Sequence, residues 1–190
     1  NMMASEQEEA LAYIHHLLDW EKGVLPPTRG WAASPDVLLI LVEHILQHKP
    51  KHVVELGSGV STLIISRALE KAGGGELTSI DHDAVFQNIT KARLDRLGLH
   101  ATHIHAPLTK AGDAECWYDL EALDTPINLL FIDGPPEAIH PQVRGHASRL
   151  FAQLEDQATV ILDDADRPGE KKVVQKWLAD TPELSHAPIY

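Results

Sequence analysis

Apolar residues recur at helical spacing in Leu11, Ile14 and Leu18, behind a Ser5-Glu6-Gln7-Glu8 stretch that has the form of a capping box. This predicts an amphipathic helix to about Glu21, ended by Gly23 and Pro26-Pro27. Past a loop carrying Arg29, Gly30 and Trp31, Ser34 reads as an N-cap and Pro35 as the first helical position. Val37, Leu41 and Ile45 continue one face of this second helix until Pro50. From there the period alternates. Strand-like Val53-Val54-Glu55-Leu56 is followed by a helix from Ser61 to Lys71, a strand from Glu76 to Asp81, a helix from Ala84 to Leu97 and a strand from His100 to His105. The second half repeats the alternation: a buried strand from Ile127 to Ile132, a helix bearing Val143, Ala147, Leu150 and Leu154, a strand from Ala158 to Leu162, and a helix bearing Val173, Val174, Trp177 and Leu178. Strands and helices alternating at these lengths imply an α/β fold, a parallel sheet with helices on both faces. The 107–126 stretch, with Gly112 and Trp117-Tyr118, is an extended insertion that could close as a lid.

The 190 residues suit a single domain, with residues 1–50 as an N-terminal helical cap and 51–190 as the core. A composition 44% hydrophobic and 23% charged excludes a disordered chain, a collagen-like repeat and a coiled coil. The longest aliphatic run, Val37 to Val42, falls far short of the roughly 20 residues that cross a bilayer, so no membrane partner is expected. Glu6, Glu8 and Glu9 stand where a secretory or mitochondrial leader carries positive charge, which points to the cytoplasm. Sixteen Lys and Arg against 28 Asp and Glu give a net charge of -12, the wrong sign for nucleic-acid binding. The lone Cys116 permits neither an internal disulfide nor a cysteine zinc site.

In open α/β sheets ligands bind beyond the carboxyl ends of the strands, where strand order reverses, so the residues just after each strand carry the chemistry. The first strand runs into Gly57-Ser58-Gly59-Val60-Ser61-Thr62. Gly57 and Gly59 let the backbone turn tightly against a ligand, and the following helix N-terminus offers free N–H groups to an anion. The second strand ends Asp81-His82-Asp83, placing a carboxylate where it can accept both hydroxyls of an adenosine ribose. Dinucleotide and adenosyl-methionine enzymes share this pair. The nicotinamide fingerprint wants a third glycine where this chain has Thr62, and no Gly-Lys-Ser/Thr marks a phosphate loop.

Together, Val53 to Leu63, Ile80 to Asp83, Leu130 to Pro136 and Ile161 to Arg167 resemble the class I S-adenosyl-methionine (SAM)-dependent methyltransferases, and within them a bacterial branch of small-molecule O-methyltransferase-like proteins. The resemblance spans roughly residues 31–180. It implies a Rossmann-like three-layer sandwich with a mostly parallel sheet, the two N-terminal helices preceding it. It implies that Glu55 and the loop of Gly57, Ser58, Gly59, Ser61 and Thr62 hold the methionine part of SAM. Asp81 and His82 would serve the ribose, Ala106 and Pro107 the adenine, and Asp133 would lie near the ammonium and sulfonium. Carboxylates stabilise both cations, which suits the acidic pattern. Members of this class finish with an antiparallel hairpin; this chain has one candidate strand near Ala187 to Tyr190, so the hairpin is expected to be incomplete.

Asp133, Asp163 and Asp164 end two strands that should be neighbours, and like charges that close need a cation or a proton. They resemble the acidic triad that holds magnesium in catechol-type O-methyltransferases; the other reading has Asp163 or Asp164 binding loop backbone. Asp164 replaces an amide of those enzymes, and Pro136 their catalytic lysine. For the proton acceptor the choice lies among Asp133, His140 and His146, against exposed-helix readings of both histidines. His103 and His105 share a strand face and read as metal ligands or as packing. Trp117 and Tyr118 read as packing or as a substrate platform, and Arg167 either binds an acidic substrate or pairs with Asp163 or Asp166. The expectation is therefore a SAM-dependent methyltransferase acting on a hydroxyl of a small molecule, with Mg2+ as a second cofactor. The alternatives are a nicotinamide (NAD)-dependent oxidoreductase and a non-catalytic adenosyl-binding module. The first two helices either cover the active site or mediate a homodimer.

Overall fold

The computed structural model describes residues 4–109 and 116–187. Helix α1 (Ala4–Leu17) and α2 (Pro35–His48) precede strand β1 (His52–Leu56). There follow α3 (Val60–Lys71), β2 (Glu76–Asp81), α4 (Ala84–Leu97), β3 (Thr102–His105) and β4 (Ile127–Ile132). A 3₁₀ helix (Val143–Gln153), β5 (Leu154–Leu162) and α5 (Pro168–Asp180) complete the order. None of the described helices is long and apolar enough to cross a membrane.

The sheet order is β3-β2-β1-β4-β5 with every pairing parallel. The chain lays strands outward on one side of β1, then returns across it to build β4 and β5 on the other. Right-handed crossovers therefore put α3 and α4 on one face and the 3₁₀ helix and α5 on the opposite one. Successive strand residues point to alternate faces, and the core divides accordingly. Val53, Leu77, Leu129 and Phe131 pack with Ile14, Leu18, Leu38, Leu41, Ile45 and Ile64. Val54, Leu56, Leu130 and Ile132 pack with Trp117, Tyr118, Ala147, Val173 and Trp177. Each fully buried aliphatic side chain here contributes roughly 1.5–3 kcal/mol. The apolar faces of α1 and α2 join the first of these clusters, on the α3 side of the sheet.

Several boundaries differ from the sequence reading. Helix α1 begins at Ala4, which puts Ser5 inside the helix, and it stops at Leu17 because Asp19 turns to a left-handed φ of 50°. Ser34 stands at the N-cap of α2, but its hydroxyl donates to Asp36 and caps no backbone N–H. Strand β3 starts at Thr102, two residues late. The α-helix expected over Val143 to Leu154 is a 3₁₀ helix, and Leu154 already belongs to β5. That strand is nine residues long and irregular, with Gln157 at φ 67° and a register shift against β4 between Ile127 and Leu129. The sheet of described strands is wholly parallel, because no hairpin strand follows α5 through Ala187; the rest of the expected final strand lies outside the described residues. In the insertion, Leu108 and Tyr118 form an isolated antiparallel bridge, while Gly112 lies outside the described residues.

Candidate cofactor and catalytic site

Strand order reverses between β1 and β4, and the glycine turn and Asp133 flank that point. Gly57 takes a φ of 101° and packs so closely that a Cβ there would stand 3.3 Å from the Asp133 carbonyl oxygen. Only glycine accepts both conditions without strain. Gly134 is as tightly placed: a Cβ on it would collide with the Tyr118 hydroxyl.

Beneath the turn, Glu55 is fully buried. Ser61 Oγ donates to its Oε2 at 2.7 Å, Ser79 Oγ donates to Oε1 at 2.7 Å, and the Thr62 hydroxyl also donates to Oε1. Burial nevertheless pushes the Glu55 carboxyl up to about 7, the three hydroxyls opposing the shift. Thr62 Oγ1 in turn accepts the Gly59 N–H at 3.0 Å. Thr62, standing where a dinucleotide site has its third glycine, is thus the link between Glu55 and the loop. The loop's other anchor is Asp81, 5% exposed, which accepts Ser58 N–H at 2.8 Å and Asp83 N–H at 2.8 Å. Each carboxylate oxygen retains a lone pair for a further donor. His82 sits beside it, with Nδ1 3.5 Å from Asp81 Oδ1. At the head of α3, Val60 and Ser61 N–H make no backbone hydrogen bond among the described residues, as the first turn of a helix dictates.

Past β3, Ala106 is fully buried in the core and donates its N–H to the Asp81 carbonyl at 2.9 Å, while Pro107 is exposed at the rim. Trp117 and Tyr118 are both core residues, 1% and 2% exposed, which decides between packing and an open substrate platform. Burial and the Asp81 charge push the Tyr118 phenol well above its ordinary range, because its hydroxyl end reaches the site floor.

Asp133, Asp163 and Asp164 converge as the sequence predicts, each offering a carboxylate oxygen within 4.8 Å of the others. Among the described residues this is the one group of three or more ligating side chains so placed, and His103 and His105 join none. Asp163 Oδ1 accepts the Asp164 N–H at 2.8 Å, which is the backbone-binding alternative. Its Oδ2 is buried and has no hydrogen-bond partner among the described residues. Burial, and then the neighbouring Asp163 carboxyl, hold the Asp133 carboxyl well above the ordinary carboxylate range. Burial and Asp163 raise Asp164 too.

One residue central to this cluster escaped the sequence reading. Arg144, 4% exposed, donates from Nε to the Pro135 carbonyl at 3.1 Å, from Nη1 to the Asp163 carbonyl at 3.4 Å and from Nη2 to the Asp133 carbonyl at 3.1 Å. Its charge lies 3.8 Å from both Asp133 Oδ1 and Asp164 Oδ2. It sits next to Val143 at the start of the apolar face of the 3₁₀ helix, and an arginine beside such a face was the available signal. Arg167 pairs with Asp164 at 2.5 Å and Glu137 at 3.0 Å, in place of the Asp163 or Asp166 expected. His140 is exposed with Nδ1 accepting the Gln142 N–H at 3.1 Å, and no hydrogen bond or ion pair joins it to the carboxylates among the described residues. His146 is half-buried on the 3₁₀ helix.

A cavity of about 440 Å³ opens between the loop joining α1 to α2 and the glycine turn, lined by Pro26, Arg29, Trp31, Gly59, Phe86 and Asp133 among others. Arg93 of α4 also lines it.

The fold has counterparts among solved structures. The SAH-bound methyltransferase PaMTH1 of Podospora anserina superposes with a TM-score of 0.59 at 15% identity, over 97% of this chain and 89% of that one. The O-methyltransferase TomG of Streptomyces achromogenes, involved in tomaymycin synthesis and in complex with SAM, gives 0.55 at 17%, over 97% and 80%. An O-methyltransferase from Bacillus cereus in complex with SAH gives 0.56 at 14%, over 96% and 81%. None of the curated proteins matches in sequence. A sequence family described as a methyltransferase domain matches residues 54–165, from β1 through the acidic cluster, and the chain belongs to that methyltransferase family.

Proposed function

We propose that this methyltransferase binds SAM across the carboxyl ends of β2, β1 and β4 and transfers its methyl group to a hydroxyl oxygen of a small molecule. The observation that carries the reading is the junction of the glycine turn with Asp81: Ser58 N–H bonds the Asp81 carboxylate at 2.8 Å. One rigid unit thus presents helix N–H groups for the methionine carboxylate and a carboxylate for the ribose hydroxyls. Glu55 acts through the loop, since its oxygens are already taken by Ser61, Thr62 and Ser79. His82 and Pro107 flank the nucleoside end, with Ala106 contributing backbone.

In the transfer, the acceptor oxygen forms a bond to the methyl carbon as the carbon–sulfur bond breaks, and the hydroxyl proton leaves. Alignment of oxygen, carbon and sulfur supplies most of the acceleration. Asp133, at the switch point and beside Asp163, is the group placed to take that proton when ionised; His140 is not joined to it. The acidic triad also fits a magnesium ion, as the orphaned Asp163 Oδ2 and the all-oxygen donor set indicate. Asp133, Asp163 and Asp164 would hold it, and a bound magnesium would make an acceptor hydroxyl easier to deprotonate.

Calorimetric titration with S-adenosyl-homocysteine (SAH), the product of the transfer, tests the reading. Micromolar binding is expected, and Asp81→Ala should weaken it by about 100-fold through lost hydroxyl contacts to a charged acceptor while the protein stays folded. Undiminished affinity in that variant would remove the ribose assignment.

A further inference from the structure

The cavity beside the glycine turn carries charge of an unexpected sign. The chain has a net charge of -12, yet the charged residues lining this cavity are Arg29, Arg93 and Asp133. Arg144 and Arg167, the arginines at the acidic cluster, are both paired. Arg29 and Arg93 make no hydrogen bond or ion pair among the described residues. Uncommitted guanidinium groups in a concave site are built for planar anionic oxygen groups, which they grip with two parallel hydrogen bonds.

Beside the glycine loop from Ser58 to Ser61, the lining is flat and apolar. Trp31, Pro26 and Pro27 come from the loop joining α1 to α2 and Phe86 from α4, the Phe86 ring 3.5 Å from where a Cβ on Gly59 would stand. Phe86 is 44% exposed and its neighbours on α4, Val85 and Ile89, are 71% and 45% exposed, so the apolar wall continues outward. Arg93 lies two turns along α4 from Phe86, about 10 Å at helical rise, and helical side chains lean toward the N-terminus, which aims it back along that wall.

We propose that Arg29 and Arg93 form an anion-recognising rim of the acceptor cavity, selecting a hydroxylated acceptor with a flat apolar body and a carboxylate. The inference rests on the methyltransferase reading above and names its substrate class. The competing source of a carboxylate is the methionine end of the cofactor. That group already has Val60 and Ser61 N–H and the positive end of α3, which line the same cavity, whereas Arg29 comes from the loop joining α1 to α2 and Arg93 from the third turn of α4.

The test uses the full chain saturated with SAH, titrated with 4-hydroxybenzoate and with the isosteric but uncharged 4-hydroxybenzamide, following tryptophan fluorescence and heat. The benzoate is expected to bind about tenfold tighter, the size of a charge-assisted contact, and added salt should erode that preference. In Arg29→Gln/Arg93→Gln the two ligands should bind alike while SAH affinity stays within about twofold. Equal binding of the two ligands to the wild type, or a preference that survives in the double variant, overturns the inference. Loss of SAH binding in the double variant also overturns it, assigning the arginines to the cofactor carboxylate. A wild type that binds no SAH at all removes the methyltransferase reading itself, and the inference with it.

Discussion

Glu55 is an acid enclosed by hydroxyls, and its energetics follow from that enclosure. Its carboxyl is pushed from 4.5 to about 7 by burial, so the folded state holds the proton more tightly than the unfolded chain. The contribution to stability is fully present below the unfolded value and is lost as pH rises from about 4.5 to about 7, an amount on the order of 3 kcal/mol. Glu55→Gln keeps an oxygen for Thr62 and Ser79 and turns Ser61 into an acceptor, so the fold should persist with that pH dependence removed. Urea denaturation at pH 5, 6, 7 and 8 reads this directly. Parallel stability curves for variant and wild type would show that Glu55 is ionised throughout. Arg144 shows the opposite device, a permanent charge sunk among backbone carbonyls. Neither set of contacts was legible in the sequence, which places Glu55 only at the methionine end of SAM and marks nothing at Arg144. Burial and partner are properties of the assembled sheet, and only the residue type is written in the chain.

The β1–turn–α3 element carries the cofactor loop, and its geometry is set by steric exclusion. At Gly57 a side chain would meet the Asp133 carbonyl at 3.3 Å with φ at 101°. Gly57→Ala is therefore expected to cost about 1–3 kcal/mol in chemical denaturation and to weaken SAH binding about tenfold or more, as β1 and β4 separate where the ligand lies. A variant with wild-type stability would place the turn's strain elsewhere. This element was legible because periodicity, glycine spacing and the terminal Asp81 agree, so local and global signals coincide. The stretch from Val143 to Leu162 was not. Its apolar spacing fits an α-helix, yet the segment tightens to a 3₁₀ helix and passes straight into a bulged strand. There Arg144 ties the helix to the ends of β4 and β5, and tertiary bonding overrides the local pattern.

Across the whole molecule the two halves of the sheet meet at the acidic cluster, where Asp133 from the end of β4 faces Asp163 and Asp164 from the end of β5. A chain of net charge -12 that gathers three of its carboxylates around one point has negative charge to compensate, and Arg144 and Arg167 supply two positive charges against three. A divalent ion binding here would attach to the folded state alone, since the unfolded chain separates its ligands, and would stabilise by mass action. Magnesium at about ten times its dissociation constant should add roughly 1.4 kcal/mol, or about 3–6 °C in Tm for a chain of this length. Asp163→Asn is the informative partner. Without magnesium it should melt at or above the wild-type temperature, because it removes a charge that raises the carboxyls of Asp133 and Asp164. With magnesium it should show no further gain. If the wild type is equally indifferent to magnesium and to chelator, then the Arg144 and Arg167 guanidinium groups balance the cluster, and methyl transfer proceeds with ionised Asp133 taking the acceptor proton unaided.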